Sequence, residues 1–530
     1  MRNMPVSFMV LGAATAEAVR VNSPTSVLLS KTVPTDAGAP VLHPFISYSI
    51  EFAFFPDFAG NASHPNLFSN QLLDNLADLQ GVKPYIRIGG NTQDFALYDP
   101  DLKTATNGTV VPSITSDYPI ILSIGPSFFD SYSTWPSTKF IHGFNLGKNG
   151  STGMESLLAT VPLACKALEG DKLAYWELGN EPDLFKTSAQ GIRRPSTWTE
   201  QDYVDEWLNK TRVIKSKMAG SCPELAGYRY IAPSFAGVTN SLDPVVTWRD
   251  GLGDDQNIAL NSEHNYIGGA TEPGVTLQRT LMNHTMTMQS VAQHVNVSRM
   301  LSSENLTSGI PYILGETNSL YNQGAPGLSN SFGAALWGVD FNLYCASQNI
   351  RRTHMHQGTN FRYISWQPIH TENTSIGTKA PYYGNAMAAA MLHGGVDVRV
   401  ANLPLTEDTE AAYAAYVNGT LTRIAVLNMK EFNYTESEPA QTRPLAKYSF
   451  RLPSEMSARP LSVQRLMANG SNAISGITWD GWSYNYELKG GEPVRLQNVT
   501  IGETISVSDN GTVEIELPYS SAVILNVGKE

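Results

Sequence analysis

At 530 residues the chain is too long for one ordinary domain, and its 42% hydrophobic and 10% aromatic content suffices for a large packed core. A net charge of −12 argues against a nucleic-acid partner and against a strongly basic groove for a polyanion. Three cysteines at wide spacing do not make a metal cluster, so no metal or other cofactor is expected.

Taken in order, Arg2, the apolar stretch from Val6 to Ala16 and the small-residue site Ala16-Glu17-Ala18 give residues 1–18 the look of a short secretory signal, although Pro5 interrupts it. No later run reaches the roughly 18 apolar residues of a membrane span, so no membrane partner is expected. Residues 19–32 read as β-structure, and Ile46 to Phe52 as the first strand of a repeating series. Leu67 to Leu79 has apolar residues at helical spacing. Tyr85 to Asn91 is a second strand, with Arg87 inside it; a guanidinium there is costly unless a carboxylate pairs with it, in a site or in the framework. Residues 100–137, rich in Gly, Pro, Ser and Asp, read as an elaborated loop with an internal strand at Ile120 to Ile124. Phe140 to Leu146 is a third strand, and Met154 to Leu168 its helix.

The run from Leu173 to Trp176 ends in Glu177-Leu178-Gly179-Asn180-Glu181-Pro182, a turn that presents Asn and Glu beyond a strand. Because proline restricts the residue before it, Glu181 is expected in extended geometry at the strand end. A helix begins near Thr199, and strands follow at Tyr228 to Ser234 and Leu260 to Tyr266. Tyr312 to Leu314 leads to Gly315-Glu316-Thr317, a second strand-end glutamate. Phe332, Leu336, Val339 and Leu343 form a helical stripe; Ile350 to Gln357 is an eighth strand, with His354 and His356 read as lining; Tyr382 to His393 is a helix stopped by Gly394-Gly395. From Val396 the texture turns to alternation, with a hairpin across Asn418-Gly419 and further strands at 447–453, 461–468 and 513–527.

Two carboxylates at the C-terminal ends of parallel strands are the minimum equipment of a glycosidase, and an eight-stranded barrel places its chemistry at that end. The fold expected is therefore a (β/α)8 TIM barrel over residues 45–394, with an antiparallel β-sandwich over 395–530. Thirteen Asn-x-Ser/Thr sites, at Asn61, Asn107, Asn149, Asn209, Asn283, Asn296, Asn305, Asn373, Asn418, Asn433, Asn469, Asn498 and Asn510, support a secreted glycoprotein. Cys165 and Cys222 fall near the ends of adjacent barrel helices and are expected to pair, leaving Cys345 as a buried thiol.

Trp176-Glu-Leu-Gly-Asn-Glu-Pro182 with a later Leu314-Gly-Glu316 resembles clan A of the glycoside hydrolases, and within it family 79, which holds β-glucuronidases and heparanase-like enzymes. The resemblance implies a retaining mechanism with Glu316 as nucleophile and Glu181 as acid/base. It further implies that Arg87 and Tyr266 hold Glu316, that Asn180 holds the sugar 2-hydroxyl, that Glu51 binds a hydroxyl, and that an N-terminal segment, residues 19–44, joins the sandwich. Two rim segments, Ser319 to Ala325 and Asn360 to Tyr363, point to an anion site. Tyr321, Gln323, Gly324 and Tyr363 either bind a sugar carboxylate through hydroxyls and loop amides or are ordinary loop packing. The leading reading is an exo-β-glucuronidase, with 4-O-methylglucuronic acid also a possible glycone. An endo-acting heparanase type is disfavoured by the acidic balance, and an inactive carbohydrate-binding barrel by the presence of both glutamates.

Overall fold

In the computed structural model, which describes residues 20–22, 26–188, 191–438, 441–456, 459–497 and 499–527, eight parallel strands close into a barrel. They are β1 (Ile46–Glu51), β2 (Ile86–Gly89), β3 (Phe140–Phe144), β4 (Leu173–Leu178), β5 (Tyr230–Phe235), β6 (Ile258–Gly269), β7 (Tyr312–Tyr321) and β8 (Thr353–Gln357), neighbouring one another in chain order with β8 against β1. The proposed secretory segment at 1–18 and the sequon at Asn498 lie outside the described residues.

The helices that follow barrel strands include α1 (Leu67–Gln80), α2 (Gly150–Leu168), α3 (Glu200–Ser221), α4 (Pro244–Arg249), α5 (His284–Ser303), α6 (Phe332–Ser347) and α7 (Ala380–Met391), with a short helix, Phe55–Ala59, preceding α1. Their ends obey local chemistry. Asn66 caps α1 by accepting from Ser69 N, and Gly81 closes it in the left-handed region at φ 87°. Thr199 and Asp202 form a reciprocal capping box on α3. The β2–β3 connection carries no α-helix. A three-stranded sheet (Ala96–Tyr98, Ile121–Ile124, Thr106–Thr109) between 3-10 turns stands there instead, so the expected mouth loop is a folded insertion. Helix α5 had no sequence counterpart, because its buried stripe of Thr287, Val291, His294, Val295 and Leu301 is interleaved with polar residues.

The barrel interior is divided by height. Ile141, Ile231, Leu260 and Ile313 fill the lower part with an apolar plug. Above it, Ser49, Arg87, Glu177, Ser234 and Glu316 meet in a hydrogen-bonded polar layer.

Beyond α7, β9 (Val398–Leu403), β10 (Glu410–Val417) and β11 (Thr420–Asn428) start a nine-stranded sheet. Asn418 and Gly419 both have positive φ, 49° and 82°, as a two-residue hairpin turn requires. A second, four-stranded sheet contains β12 (Leu445–Arg451) paired antiparallel with β14 (Thr512–Pro518), after β13 (Leu461–Met467) of the larger sheet. Arg20–Asn22 and Val27–Leu28 add to β12 in parallel. Leu421, Ile424, Tyr448, Phe450, Ile515 and Leu517 fill the space between the sheets. The strand expected over 513–527 is two strands, β14 and β15 (Ser521–Asn526), because the chain reverses through Ser520 at φ 55°.

Eleven of the described sequon asparagines are exposed; Asn283 is half-buried, capping α5 through Met286 N while its amide donates to Asp408. Cys165, in the last turn of α2, is joined to Cys222 at the C-cap of α3, and Cys345 is a buried free thiol in α6. With the cysteines 57 positions apart, the chain-entropy model gives a link of this length about 4 kcal/mol of stabilisation. Peptide mapping of unreduced protein should recover the Cys165–Cys222 pair and no link to Cys345. Reduction should lower the denaturant midpoint while leaving native activity intact, since the link lies in the helix layer.

Candidate active site

Arg87, on β2, is fully buried and points to the barrel axis, where it makes four side-chain hydrogen bonds. Nε donates to Glu177 Oε2 at 2.8 Å, Nη1 to Glu316 Oε2 at 2.6 Å and Ser49 Oγ at 3.1 Å, and Nη2 to Asn180 Oδ1 at 2.7 Å. Both pairings that the sequence allowed for Arg87 are present, one with a site carboxylate and one with a framework acid. All four contacts are with protein groups, and Arg87, expected among the substrate contacts, has no exposed surface in this structure. Glu177 is itself fixed, Oε1 accepting from Ser234 Oγ at 2.7 Å.

Glu316 lies on β7, and its other oxygen accepts from Tyr266 OH at 2.7 Å. Burial pushes its carboxyl up, but His356, His264, Arg87 and the Tyr266 hydrogen bond outweigh that and hold it well below the usual range. Glu181 goes the opposite way: burial and the adjacent Glu316 charge push it well above the usual range, against the pull of Arg87 and His356. One oxygen of each glutamate and a ring nitrogen of His264 lie within 4.8 Å of one another. Three such groups could hold a cation, but the Arg87 guanidinium, donating to Glu316, already places a positive charge beside this set.

Glu181 is not extended. Its φ of 51° and ψ of 49° put it in the left-handed region immediately before Pro182. The frame over-determines this strained conformation: Glu181 N donates to Ser234 O at 2.9 Å, its carbonyl accepts from Leu184 N at 2.9 Å, and Pro182 opens a 3-10 turn. Gly179 at φ 84° makes the approach possible, since a Cβ there would lie 2.7 Å from Leu146. The rule that a residue before proline is extended thus yields to tertiary hydrogen bonds. Asn180, next in the turn, is anchored by its N–H to Asp94 and by its Oδ1 to Arg87.

A cavity of about 660 Å3 opens over these groups, lined by Glu181, His264, Tyr266, Glu316, Tyr321, Asn322, Gln323, His356 and Tyr363 among others, with no lysine or arginine in its wall. Tyr321 is half exposed and lies across Gly269, its strand partner. Tyr363 is buried 6.1 Å from the Tyr266 ring, and burial keeps both hydroxyls protonated, far above the usual tyrosine value. Two expected contacts are placed otherwise. Gly324 is buried, and its N–H closes a turn to Leu320 O at 3.0 Å, so it offers no free donor. Glu51 is fully buried behind the cavity wall, accepting from Thr92 N and Oγ1, with Oε2 3.4 Å from His356 Nε2, so in this structure it is closed to a sugar hydroxyl.

Three residues of the constellation were not among the expected site residues, His356 having been read only as barrel lining. Glu177 was hidden inside the motif that drew attention to Glu181. His264 Nδ1 is 3.0 Å from Glu181 Oε1, and burial lowers its pKa to about 4, leaving it neutral. It lies two residues from Tyr266 on β6, so strand alternation puts both on the inner face, a signal available beforehand. His356 bonds Ser49 Oγ through Nδ1 at 2.8 Å, and although burial lowers its pKa, Glu316 and Glu51 raise it above its ordinary value.

Comparison with known proteins agrees with this architecture. Residues 412–524 match the glycosyl hydrolase family 79 C-terminal beta domain. The chain is 73% identical to a β-glucuronidase of Aspergillus niger, over 99% of this chain and 100% of that protein. It is 52% identical to a β-glucuronidase of Neurospora crassa over 92% of each. Among solved structures, a 4-O-α-L-rhamnosyl-β-D-glucuronidase of Fusarium oxysporum shares the fold with a TM-score of 0.74 and 24% identity, over 96% of this chain and 100% of that one. Barrel, β-domain and near-full-length identity together place the chain in glycosyl hydrolase family 79.

Proposed function

We propose that the protein is a retaining exo-β-glucuronidase, secreted and N-glycosylated, whose catalytic unit spans residues 45–394 and whose sandwich combines residues 395–530 with the segment at 19–44. The observation that carries this is the pair of glutamates, with oxygens within 4.8 Å and opposite proton affinities. Retaining glycosidases hold their carboxyl groups ~5–5.5 Å apart.

Glu316, ionised, attacks the anomeric carbon while Glu181 gives its proton to the glycosidic oxygen, which departs with the bonding pair. Once Glu316 is esterified its charge is gone, and the main electrostatic reason for Glu181 to keep a proton goes with it. Glu181 is then free to take a proton from the water that attacks the glycosyl-enzyme. Asn180, its Oδ1 committed to Arg87 and one amide hydrogen donated to Asn91 Oδ1 at 3.4 Å, has its other amide hydrogen left for the sugar 2-hydroxyl. The Tyr321 and Tyr363 hydroxyls and the amides of the Asn322–Gln323 turn receive the sugar carboxylate. A cavity without lysine or arginine suits a single uronic acid held by neutral donors better than a sulfated chain.

Glu316→Gln should abolish turnover of every substrate. Glu181→Gln should spare the first step for aryl glucuronides with good leaving groups, which need little protonation. Burst kinetics on nitrophenyl glucuronide read this directly, and undiminished turnover by Glu316→Gln would end the assignment. Proton NMR of the first-formed sugar should show the β-anomer.

The pH profile should follow from the two shifts. Glu181 must be protonated and its pKa is raised, so activity should persist above the ordinary carboxylate range and fall as pH rises through the Glu181 pKa. Glu316 must be ionised and its pKa is lowered, so the acid limb should lie below that range. In Glu316→Gln, titration of Glu181 should move downward, as NMR of the labelled carboxyl would record.

Tyr363→Phe or Tyr321→Phe should each cost ~1.5–3 kcal/mol on glucuronides, the range for a hydrogen bond to a charged group, and leave the weak glucoside rate nearly unchanged. Equal losses in kcat/KM on the two substrates would reduce these tyrosines to loop packing.

A further inference from the structure

Asn322, Gln323 and Gly324 occupy the left-handed region in succession, at φ 61°, 60° and 79°. Only the third is a glycine, so two side-chain-bearing residues are held where L-residues are strained, and something outside the turn must hold them there. In such a turn the carbonyls point one way along its axis and the N–H groups the other. Gly324 N closes the turn onto Leu320 O at 3.0 Å.

The carbonyl side is taken by one residue. Arg362 N donates to Gln323 O at 2.8 Å, Arg362 Nη2 to Asn322 O at 3.0 Å and Arg362 Nε to Gly324 O at 3.0 Å. Three consecutive carbonyls therefore end on Arg362, which is absent from the cavity wall. Its charge is met by Asp117 of the β2–β3 insertion, which accepts from both Nη1 and Nη2. On the opposite side, Asn322 and Gln323 line the cavity, and their N–H groups have no protein acceptor among the described residues.

We propose that Arg362, braced by Asp117, is a positioning residue for substrate selection: by holding the carbonyls of residues 322–324 it locks the left-handed turn and aims the Asn322 and Gln323 amides at the substrate carboxylate. This rests on the glucuronidase reading above. Arg362 never touches the sugar. The rim's cation acts through backbone dipoles, and Asp117 keeps its charge out of the cavity. The insertion thereby connects to the anion site through a single guanidinium.

The test is steady-state kinetics of Arg362→Gln and Asp117→Asn on nitrophenyl glucuronide and nitrophenyl glucoside, alongside thermal midpoints. Arg362→Gln should lose at least tenfold in kcat/KM on the glucuronide, mostly through KM, with less than a twofold change on the glucoside. Asp117→Asn should shift selectivity the same way but less, because the carbonyl contacts survive. Should Arg362→Gln fail to fold, Arg362→Lys serves instead. The backbone contact from residue 362 N to Gln323 O survives either substitution, but a lysine, which keeps the charge opposite Asp117, has a single amine in place of the fork that bonds the Asn322 and Gly324 carbonyls, so the same selective loss is expected. An equal fall on both substrates, or no fall on the glucuronide, overturns the proposal. A wild-type enzyme that does not prefer the glucuronide would instead sink the glucuronidase reading itself.

Discussion

The molecule's chemistry depends on one buried guanidinium. Arg87 cannot shed its charge, and with no exposure to water it must be surrounded by acceptors. The barrel supplies them from separate strands: Glu177 on β4, Glu316 on β7 and Ser49 on β1, with Asn180 just beyond β4. Once Glu316 is committed to Arg87 as a carboxylate, a second anion beside it is unfavourable, and Glu181 keeps its proton. In the proposed mechanism the division of labour between acid and nucleophile thus follows from where a cation was buried.

The same logic explains how an acidic protein can select an acidic sugar. A lysine or arginine in the cavity would attract a glucuronate, but it would also stabilise ionised Glu181 and weaken the acid. Neutral donors avoid the conflict. In the proposed anion site, tyrosine hydroxyls and backbone amides aimed by a turn would hold an anion without adding a full charge next to the proton that the reaction needs.

Much of this was legible in the sequence because barrel strands are buried on both faces and read as apolar runs interrupted where a functional residue intrudes. Arg87 within Tyr85 to Asn91, and the glutamates following Leu178 and Leu314, were visible as such interruptions. What stayed hidden was whatever depends on two distant segments meeting. Glu177 gains its meaning only from Arg87, and His356 only from Ser49 and the two carboxylates beside it. Glu181 broke a local rule, since the steric preference before Pro182 is weaker than hydrogen bonds fixed by Ser234 and Leu184. Helix α5 escaped because its polar residues, including Ser290 and Gln293 at the cavity, blur the helical period.

The parallel pairing of Arg20–Asn22 and Val27–Leu28 with β12 has a consequence for biosynthesis. The first described strands of the chain find their partner more than 400 residues later, so they must wait, unpaired, until the chain through β12 has been made. The barrel lies between the partners and can complete its own ring of strands in that interval. A fragment beginning near residue 395 would carry β12 with one edge bare, inviting adventitious strand pairing. The small sheet therefore joins segments made far apart in time, and it can form only after the barrel between them has been made.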